Sequence, residues 1–303
     1  MSEDGVPEAD RAGGAPHPRD TSVLFGQGAA EAAFLEAVAG GRLHHGWLLT
    51  GPRGVGKATL AWRIARFLLS GGAAGGLFGA PESLDVDPES PVARQVAALS
   101  APGLALCRRP WDEKTKRLKT AITVEEVRRL KAAFAMAPAE GGWRVAIVDA
   151  ADEMNGAAAN ALLKLLEEPP ERTLLLLVSH APAGLLPTIR SRCRVLRLGP
   201  LGEADLARAL EAAGHRGADA TLAELSGGSV GAALRLAEGG GPEVYARLIG
   251  LLAGAPMDRA AMHGLAAEAA GRGAEERYAL LLDLIAFALA RLARRGASGE
   301  DPA

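Results

Sequence analysis

Gly51-Pro52-Arg53-Gly54-Val55-Gly56-Lys57 is a glycine-rich loop between an apolar segment, Trp47 to Thr50, and an Ala/Leu/Arg-rich segment, Ala58 to Ser70. A loop that joins a strand to a helix in this way is typical of phosphate binding. Glycines let successive backbone N–H groups surround phosphate oxygens, and the N-terminus of the following helix favours an anion. We therefore predict a phosphate site formed by Gly51, Gly54, Gly56 and Lys57, in which Lys57 contacts the outer phosphates.

The sequence around this loop alternates between apolar strands and helices. Val145 to Val148, Leu174 to Val178 and Arg194 to Leu198 are short and mostly apolar on consecutive residues, as strands buried on both faces are. Helical segments, Val124 to Phe134 and Gly156 to Glu168, lie between them. The pattern predicts an α/β P-loop domain with a parallel sheet over residues 21–200.

The remaining segments differ in composition from this domain. Residues 1–20 are polar and rich in Gly, Pro and Ala, and we expect a flexible tail. Residues 71–110 contain glycine pairs and several prolines, which indicates an insertion with one helix at Val92 to Leu99. The basic stretch 108–119 is diluted by two acidic residues, so we expect a solvated loop and leave DNA contact open.

No further strand pattern follows residue 200. Residues 201–240 predict a small helical domain with helices at 203–213, 218–225 and 230–237, and residues 241–303 a second helical domain with helices at 242–252, 257–270 and 275–295. The last helix is apolar around most of its circumference and therefore needs partners on more than one side. We expect this second domain to mediate oligomerisation.

Charge and cysteine content exclude several classes of protein. Lys and Arg total 34 against 36 for Asp and Glu, a net charge of −2, so the chain does not bind nucleic acid through its overall field. Cys107 and Cys193 are the two cysteines, too few for a disulfide framework or a zinc site. The start has no signal-peptide pattern and no segment is apolar enough to span a membrane, so we expect a cytoplasmic protein.

The nucleotide site lacks two groups that hydrolysis requires. Asp149 ends an apolar strand, where it could hold Mg²⁺, but Ala150 follows it in place of an acid that would position water. Ala58 replaces the Ser or Thr that binds Mg²⁺, and Thr59 is displaced by about 100° on a helix. Thr59 and Asp149 remain candidate ligands. We predict that ATP or ADP with Mg²⁺ binds weakly or not at all, and that the chain does not hydrolyse it.

Three separated motifs resemble the bacterial clamp-loader AAA+ family. They are Gly41-Arg42-Leu43-His44-His45-Gly46-Trp47-Leu48-Leu49; Met154-Asn155 with Ala159-Asn160-Ala161-Leu162-Leu163-Lys164-Leu165-Leu166-Glu167-Glu168-Pro169-Pro170; and Ser191-Arg192-Cys193. The matches are spread over residues 23–240. The resemblance implies an AAA+/RecA-like sheet domain, a helical lid over 201–240 and a helical collar over 241–303.

The resemblance also implies a role and partners. In this family the Arg of Ser-Arg-Cys acts as a finger on the ATP of a neighbouring subunit, and Arg192 matches it. The ATPase subunits of the family have Lys-Thr or Lys-Ser in the loop, an acid after the strand Asp, a four-Cys zinc cluster and a second sensor Arg, where this chain has Gly231. The departures indicate a non-hydrolysing component of the DNA polymerase III holoenzyme, without a polymerase active site. Implied partners are gamma/tau and delta subunits and, through the complex, the sliding clamp and primed DNA.

Two alternatives remain open. An active gamma/tau-like ATPase would show hydrolysis that Lys57→Ala abolishes. A P-loop small-molecule kinase would carry a substrate lid instead of a collar, and would stay monomeric in the presence of clamp-loader subunits.

Overall fold

The computed structural model describes residues 6–11, 13, 15–41, 43–74, 80–135, 142–215, 220–254, 258–271 and 274–298. It contains two compact units, Met1–Leu201 and Gly202–Ala303. Residues 75–79 of the expected insertion, and residues 218–219 and 257 of two expected helices, lie outside the described residues. The lid and collar subdivision of the second unit stays a prediction.

A parallel sheet of five strands forms the centre of the first unit, with strand order β2-β5-β6-β1-β7. The described strands are β1 (Gly46–Thr50), β2 (Leu104–Arg108), β3 (Trp111–Asp112), β4 (Arg117–Leu118), β5 (Arg144–Asp149), β6 (Thr173–Ser179) and β7 (Arg194–Arg197). Every residue of β1 and β6 is buried, as expected for strands covered on both faces. The predicted α/β class is confirmed.

Helices cover this sheet. The described helices of the first unit are α1 (Gly28–Ala39), α2 (Lys57–Leu69), α3 (Pro91–Ala97), α4 (Val124–Ala135), α5 (Gly156–Glu167) and α6 (Pro187–Arg190). α2 contacts β1, β5 and β6, whereas α4 and α5 share a core with alternate residues of the strands, such as Leu48 and Val148. Leu162 of α5 is fully buried in that core. Truncation of such a leucine to alanine costs about 2–5 kcal/mol.

The insertion predicted for residues 71–110 is shorter than expected, because its last part is a sheet strand. β2 pairs Leu104 with Val145 and Arg108 with Asp149, and Cys107 is buried. The sequence concealed this strand because it is short and lies between the turn residues Pro102-Gly103 and Pro110. The sequence analysis therefore missed one strand of the sheet: β2 is an edge strand and pairs with β5, the strand that ends in Asp149.

The basic stretch 108–119 is also more ordered than the predicted loop. β3 and β4 form a two-stranded antiparallel ribbon that pairs Trp111 with Leu118. The Asp112 carboxylate accepts hydrogen bonds from the backbone N–H groups of Lys114 and Thr115, which stabilises the turn. Asp112, one of the acidic residues that dilute the positive charge of this stretch, therefore also stabilises the ribbon.

The described part of the expected flexible tail packs against the rest of the first unit instead. We call the described part of residues 6–22 the N-terminal clasp. Asp10 is buried, and its carboxylate accepts a hydrogen bond from Arg108, which also donates to Glu8 at 2.8 Å. Composition could not reveal this packing, because Arg108 lies 98 residues after Asp10 in the chain.

Helix α2 holds the other end of the clasp. Arg66 donates to the carbonyl oxygens of Arg19 and Thr21 at 2.7 and 2.6 Å. The buried ring of His17 lies edge-on to Trp62, with ring centroids 6.2 Å apart. The clasp is thus attached to the helix that begins at the phosphate loop.

The second unit is helical in its described part. Its helices are α7 (Glu203–Ala212), α8 (Ala220–Ser226), α9 (Val230–Glu238), α10 (Gly241–Ala253), α11 (Arg259–Ala269) and α12 (Glu275–Ser298). One face of α12 is buried within the unit through Leu284 and Ala288. Another face leaves four large apolar side chains 45–58% exposed: Tyr278, Leu282, Leu289 and Leu292. None of the described helices combines the length and apolar character needed to cross a bilayer.

Candidate nucleotide-binding site

The glycine-rich loop connects the end of β1 to the start of α2. Gly51, Gly54 and Gly56 have φ angles of +142°, +75° and +98°, a range that residues with a Cβ rarely adopt. A Cβ on Gly51 would collide with the carbonyl group of Leu198, and one on Gly56 with the side chain of Leu24. The path of the loop therefore requires glycine at these positions.

Lys57, the first residue of α2, is bent back onto this loop. Its ammonium donates hydrogen bonds to the carbonyl oxygens of Gly51, at 2.6 Å, and Pro52. The residue is buried, and burial lowers the pKa of Lys57 to about 8, although Asp149 and Asp152 act in the opposite direction. The cation predicted to contact phosphate is thus in the loop, but loop carbonyls occupy two of its three donors.

Asp149 ends β5 at the carboxyl edge of the sheet, where ligands of such sheets bind. It is buried, and burial raises the pKa of Asp149 to about 8, with further contributions from Asp10 and Glu153. Lys57 counteracts these effects. The structure thus brings Lys57 and Asp149 into one electrostatic environment, to which the clasp adds a carboxylate through Asp10.

Ala58, Thr59 and Ala150, which stand at or beside the positions of the missing hydrolytic groups, all lie in the part of the chain that the structure describes. α2 is regular from Lys57, so the half-buried Ala58 occupies the position after the lysine and Thr59 is rotated by about 100° from it. Ala150, directly after Asp149, is buried and carries no acid. The fold does not move Thr59 into the place of the missing hydroxyl.

Two polar residues that the sequence reasoning did not select lie at the end of β6, between the strands that carry the loop and Asp149. Ser179 is fully buried, and its hydroxyl has no hydrogen-bond partner within the described part of the chain. Burial lowers the pKa of the His180 imidazole to about 4, and Lys57 and Arg53 add to this shift. The signal in the sequence that could have identified these two residues is a Ser-His pair directly after five apolar residues.

Two acids beyond Asp149, Asp152 and Glu153, are half-buried in a short 3₁₀ helix, Ala151–Glu153. The Asp152 carboxylate accepts a hydrogen bond from the backbone N–H of His180 at 2.9 Å. Glu153 pairs with Arg109 at 2.6 Å and lies 3.8 Å from Arg53 of the loop. These acids therefore link the loop, β6 and the basic stretch 108–119.

The residues present fit a phosphate group better than a complete magnesium nucleotide site. The loop backbone and Lys57 are the groups that would hold phosphate oxygens. Ala58 provides no hydroxyl ligand for Mg²⁺. The other candidate ligand of the metal, the Asp149 carboxylate, is in surroundings that favour its protonation. Among the described residues no cluster of three or more His, Cys, Asp or Glu side chains could hold a metal ion.

Arg192 lies near the amino-terminal end of β1, whereas the loop follows the carboxyl-terminal end of this strand. A Cβ on Gly46, the first residue of β1, would be 3.1 Å from the carbonyl oxygen of Arg192. The loop begins only after the five residues of β1, roughly 16 Å further along the strand. The Arg192 side chain is 38% exposed and pairs with Glu167 at 3.0 Å. Arg192 therefore cannot contact a phosphate bound in its own loop.

Comparisons with known proteins agree with the motifs. The family model described as DNA polymerase III, delta subunit, matches residues 26–202. The delta' subunit of DNA polymerase III from Pseudomonas aeruginosa is 40% identical over 158 residues, which cover 51% of this chain and 43% of that protein. DNA polymerase III subunit gamma/tau of Mycobacterium tuberculosis is 33% identical over 177 residues, or 58% of this chain and 28% of that protein. The matches thus span less than half the length of these relatives.

The chain is also similar to one of the solved structures, the RuvB Holliday junction branch migration motor of Thermotoga maritima. It has a TM-score of 0.45 and 18% sequence identity, with 82% of this chain and 73% of that chain covered. The sheet, the phosphate loop and the family match, which covers more than half of the sequence, lead to one assignment. The chain belongs to the DNA polymerase III delta-subunit family, as its clamp-loader motifs predicted.

Proposed function

We propose that this chain is a delta-prime-type subunit of the clamp loader, a scaffold that hydrolyses no ATP and supplies Arg192 to a neighbouring ATPase subunit. The complex would load the sliding clamp on primed DNA in the cytoplasm. The observation that carries the proposal is the position of Arg192. It is half-exposed at the sheet edge away from its own loop, so any phosphate it contacts belongs to another molecule.

The loop itself supports the scaffold part of the proposal. Lys57 is engaged by loop carbonyls, and Ala58 and Ala150 stand where hydrolysis needs a hydroxyl and an acid. Phosphoryl transfer depends almost entirely on positioning and charge stabilisation, so the loss of two such groups is sufficient to abolish turnover. ATP or ADP would bind this loop weakly or not at all.

Arg192 would act through charge and geometry. Its planar, positively charged guanidinium can donate two parallel hydrogen bonds to phosphate oxygens. Placed on the γ-phosphate held by a neighbour, it would stabilise the charge that develops during hydrolysis there. Lysine offers a point charge without this fork and would do so less well.

We infer the partners from the relatives and from the second unit. Gamma/tau and delta subunits would flank this chain, and contact with the clamp and DNA would come through the complex. The exposed apolar stripe on α12, Tyr278, Leu282, Leu289 and Leu292, is the surface that an oligomerising collar needs. Spacings of 4, 7 and 3 residues fit the 3.5-residue repeat of helices that pack side by side.

The test is ATP turnover by the loader reconstituted with its cognate gamma/tau and delta subunits, at saturating clamp and primed DNA. Arg192→Ala should leave assembly intact and lower kcat at least about tenfold, since arginine fingers contribute far more in other phosphoryl-transfer systems. Arg190→Ala is the matched control, because Arg190 is an exposed neighbour on α6. Unchanged turnover with Arg192→Ala in an intact complex would refute the proposal.

The similarity to gamma/tau subunits favours one alternative, an active ATPase. Steady-state ATP hydrolysis by the purified chain separates the two functions. Activity that Lys57→Ala abolishes would assign this chain to the ATPase subunits.

A further inference from the structure

Arg192 is held from two sides by its own chain. One terminal nitrogen lies 3.0 Å from Glu167 Oε1, and the other donates a hydrogen bond to the carbonyl oxygen of Thr188 at 3.1 Å. A guanidinium has five N–H donors, so these two contacts leave three for a further oxygen ligand. The contacts therefore restrain the side chain without saturating it.

The two restraining groups are themselves fixed by the fold. Glu167 is the last residue of α5, and the preceding Leu165 and Leu166 are buried in the core. The Leu166 carbonyl oxygen lies 2.8 Å from Nε2 of His45, so the end of this helix is tied to the start of β1. Thr188 belongs to α6, which begins at Pro187. Arg192 is thus held between two anchored backbone segments.

Helix electrostatics explain why the pair forms at this place. A carboxylate in the last turn of a helix is disfavoured, because it meets the negative end of the helix dipole. Glu167 occupies this position, and the guanidinium of Arg192 compensates its charge. Both side chains are about 40% exposed, at 38% and 42%. An ion pair this exposed is weak, so it leaves the charge of Arg192 available to a stronger anion.

We infer that Glu167 is a positioning residue for Arg192, which it holds ready for the phosphate of a neighbouring subunit. The inference rests on the proposed function. An unrestrained arginine samples many rotamers, and fixing it in advance removes an entropic cost from the catalytic encounter. Glu167 would therefore act on turnover only through Arg192, and would not contact the nucleotide.

The experiment uses the reconstituted loader with saturating clamp and primed DNA. Glu167→Ala should lower kcat about two- to fivefold, with the KM for ATP and the assembly affinity unchanged. Glu167→Gln keeps an oxygen acceptor and should give an intermediate kcat. Glu168→Ala is the matched control, because it removes the adjacent exposed carboxylate, outside the Arg192 pair, and should leave kcat unchanged.

The double variant Glu167→Ala/Arg192→Ala decides whether the two residues act together. Its kcat should equal that of Arg192→Ala alone, since Glu167 has nothing left to position. A further loss, or a kcat of Glu167→Ala equal to or above that of the native complex, would overturn the inference. If Arg192→Ala itself has no effect, the proposed function fails instead. Thermal unfolding of each purified variant confirms that the fold is retained.

Discussion

The ammonium nitrogen of Lys57 lies 2.6 Å from the carbonyl oxygen of Gly51. The lysine that would contact a nucleotide is therefore a hydrogen-bond donor to its own loop. A phosphate must replace this contact and supply enough interaction energy to do so. Without a hydroxyl at position 58, Mg²⁺ gives little help, and this explains why a loop of the correct shape is expected to bind nucleotide poorly.

Restoring that hydroxyl should strengthen the binding of magnesium nucleotide. Ala58→Thr supplies the missing ligand at a half-buried position. We expect about tenfold tighter binding of Mg·ATP, measured by isothermal titration calorimetry, and no gain when EDTA removes the metal. Ala58→Val is the control of equal shape without a hydroxyl. An equal gain in both variants would show that side-chain bulk, and not metal ligation, limits affinity.

The titration of Asp149 should make stability depend on pH. The carboxyl group has a pKa near 8 in the folded chain and about 4 when unfolded, so between these values the folded state holds the extra proton. Stability then falls as pH rises. His180, with a pKa of about 4 when folded and 6.5 when unfolded, has the opposite effect below pH 6.5. Lys57 opposes Asp149 only above its folded pKa of about 8.

The window in which Asp149 acts without these opposing groups is pH 6.5 to 8. Over 1.5 pH units the free energy of unfolding should fall by about 2 kcal/mol, measured by urea denaturation. Asp149→Asn cannot ionise and should remove this slope. If the slope persists in the variant, its source is another group.

The N-terminal clasp should contribute to stability through Arg108. Arg108→Ala would remove the guanidinium partner of the buried Asp10 carboxylate and leave only His17, 3.3 Å away, at an expected cost of about 1.5–3 kcal/mol in the free energy of unfolding. Arg94→Ala removes a pair with Glu89 in which both side chains are exposed, and it should cost less than about 1 kcal/mol. Chemical denaturation compares the two. Equal, small losses would indicate that the clasp is dispensable.

The sheet was predictable to the extent that its strands are continuously apolar. β1, β5 and β6 are buried along nearly their whole length, and the sequence shows each of them as a run of mostly apolar residues. β2 could not be recognised in this way. Its five residues lie between turn residues, and only their pairing with β5, about forty residues later, identifies them as a strand. The loop was predictable for the opposite reason, since its glycines and lysine are adjacent in the chain.

The surroundings of the site were not predictable, because they depend on contacts between distant residues. Asp10 influences Asp149 only after Arg108 has brought it to the sheet edge. His180 is significant because β6 lies between the two strands that carry the loop and Asp149. The ion pair of Arg192 with Glu167 likewise joins two motifs that the sequence shows separately.

The apolar stripe on α12 should be required for assembly and unnecessary for folding. Leu282 and Leu289 are 47% and 58% exposed, so Leu282→Glu and Leu289→Glu should change the stability of the purified chain by less than about 0.5 kcal/mol. In a subunit interface the same carboxylates would be buried without partners, and binding to cognate clamp-loader subunits should weaken at least about tenfold.

Size-exclusion chromatography and sedimentation of the mixed subunits measure this loss. Asp283→Lys is the control, because this exposed residue is rotated by about 100° from Leu282 on the helix and should leave assembly intact. Normal assembly of both glutamate variants would mean that the stripe is not the collar surface. Partner binding would then have to come from the sheet unit, and the role assigned to residues 241–303 would need to be abandoned.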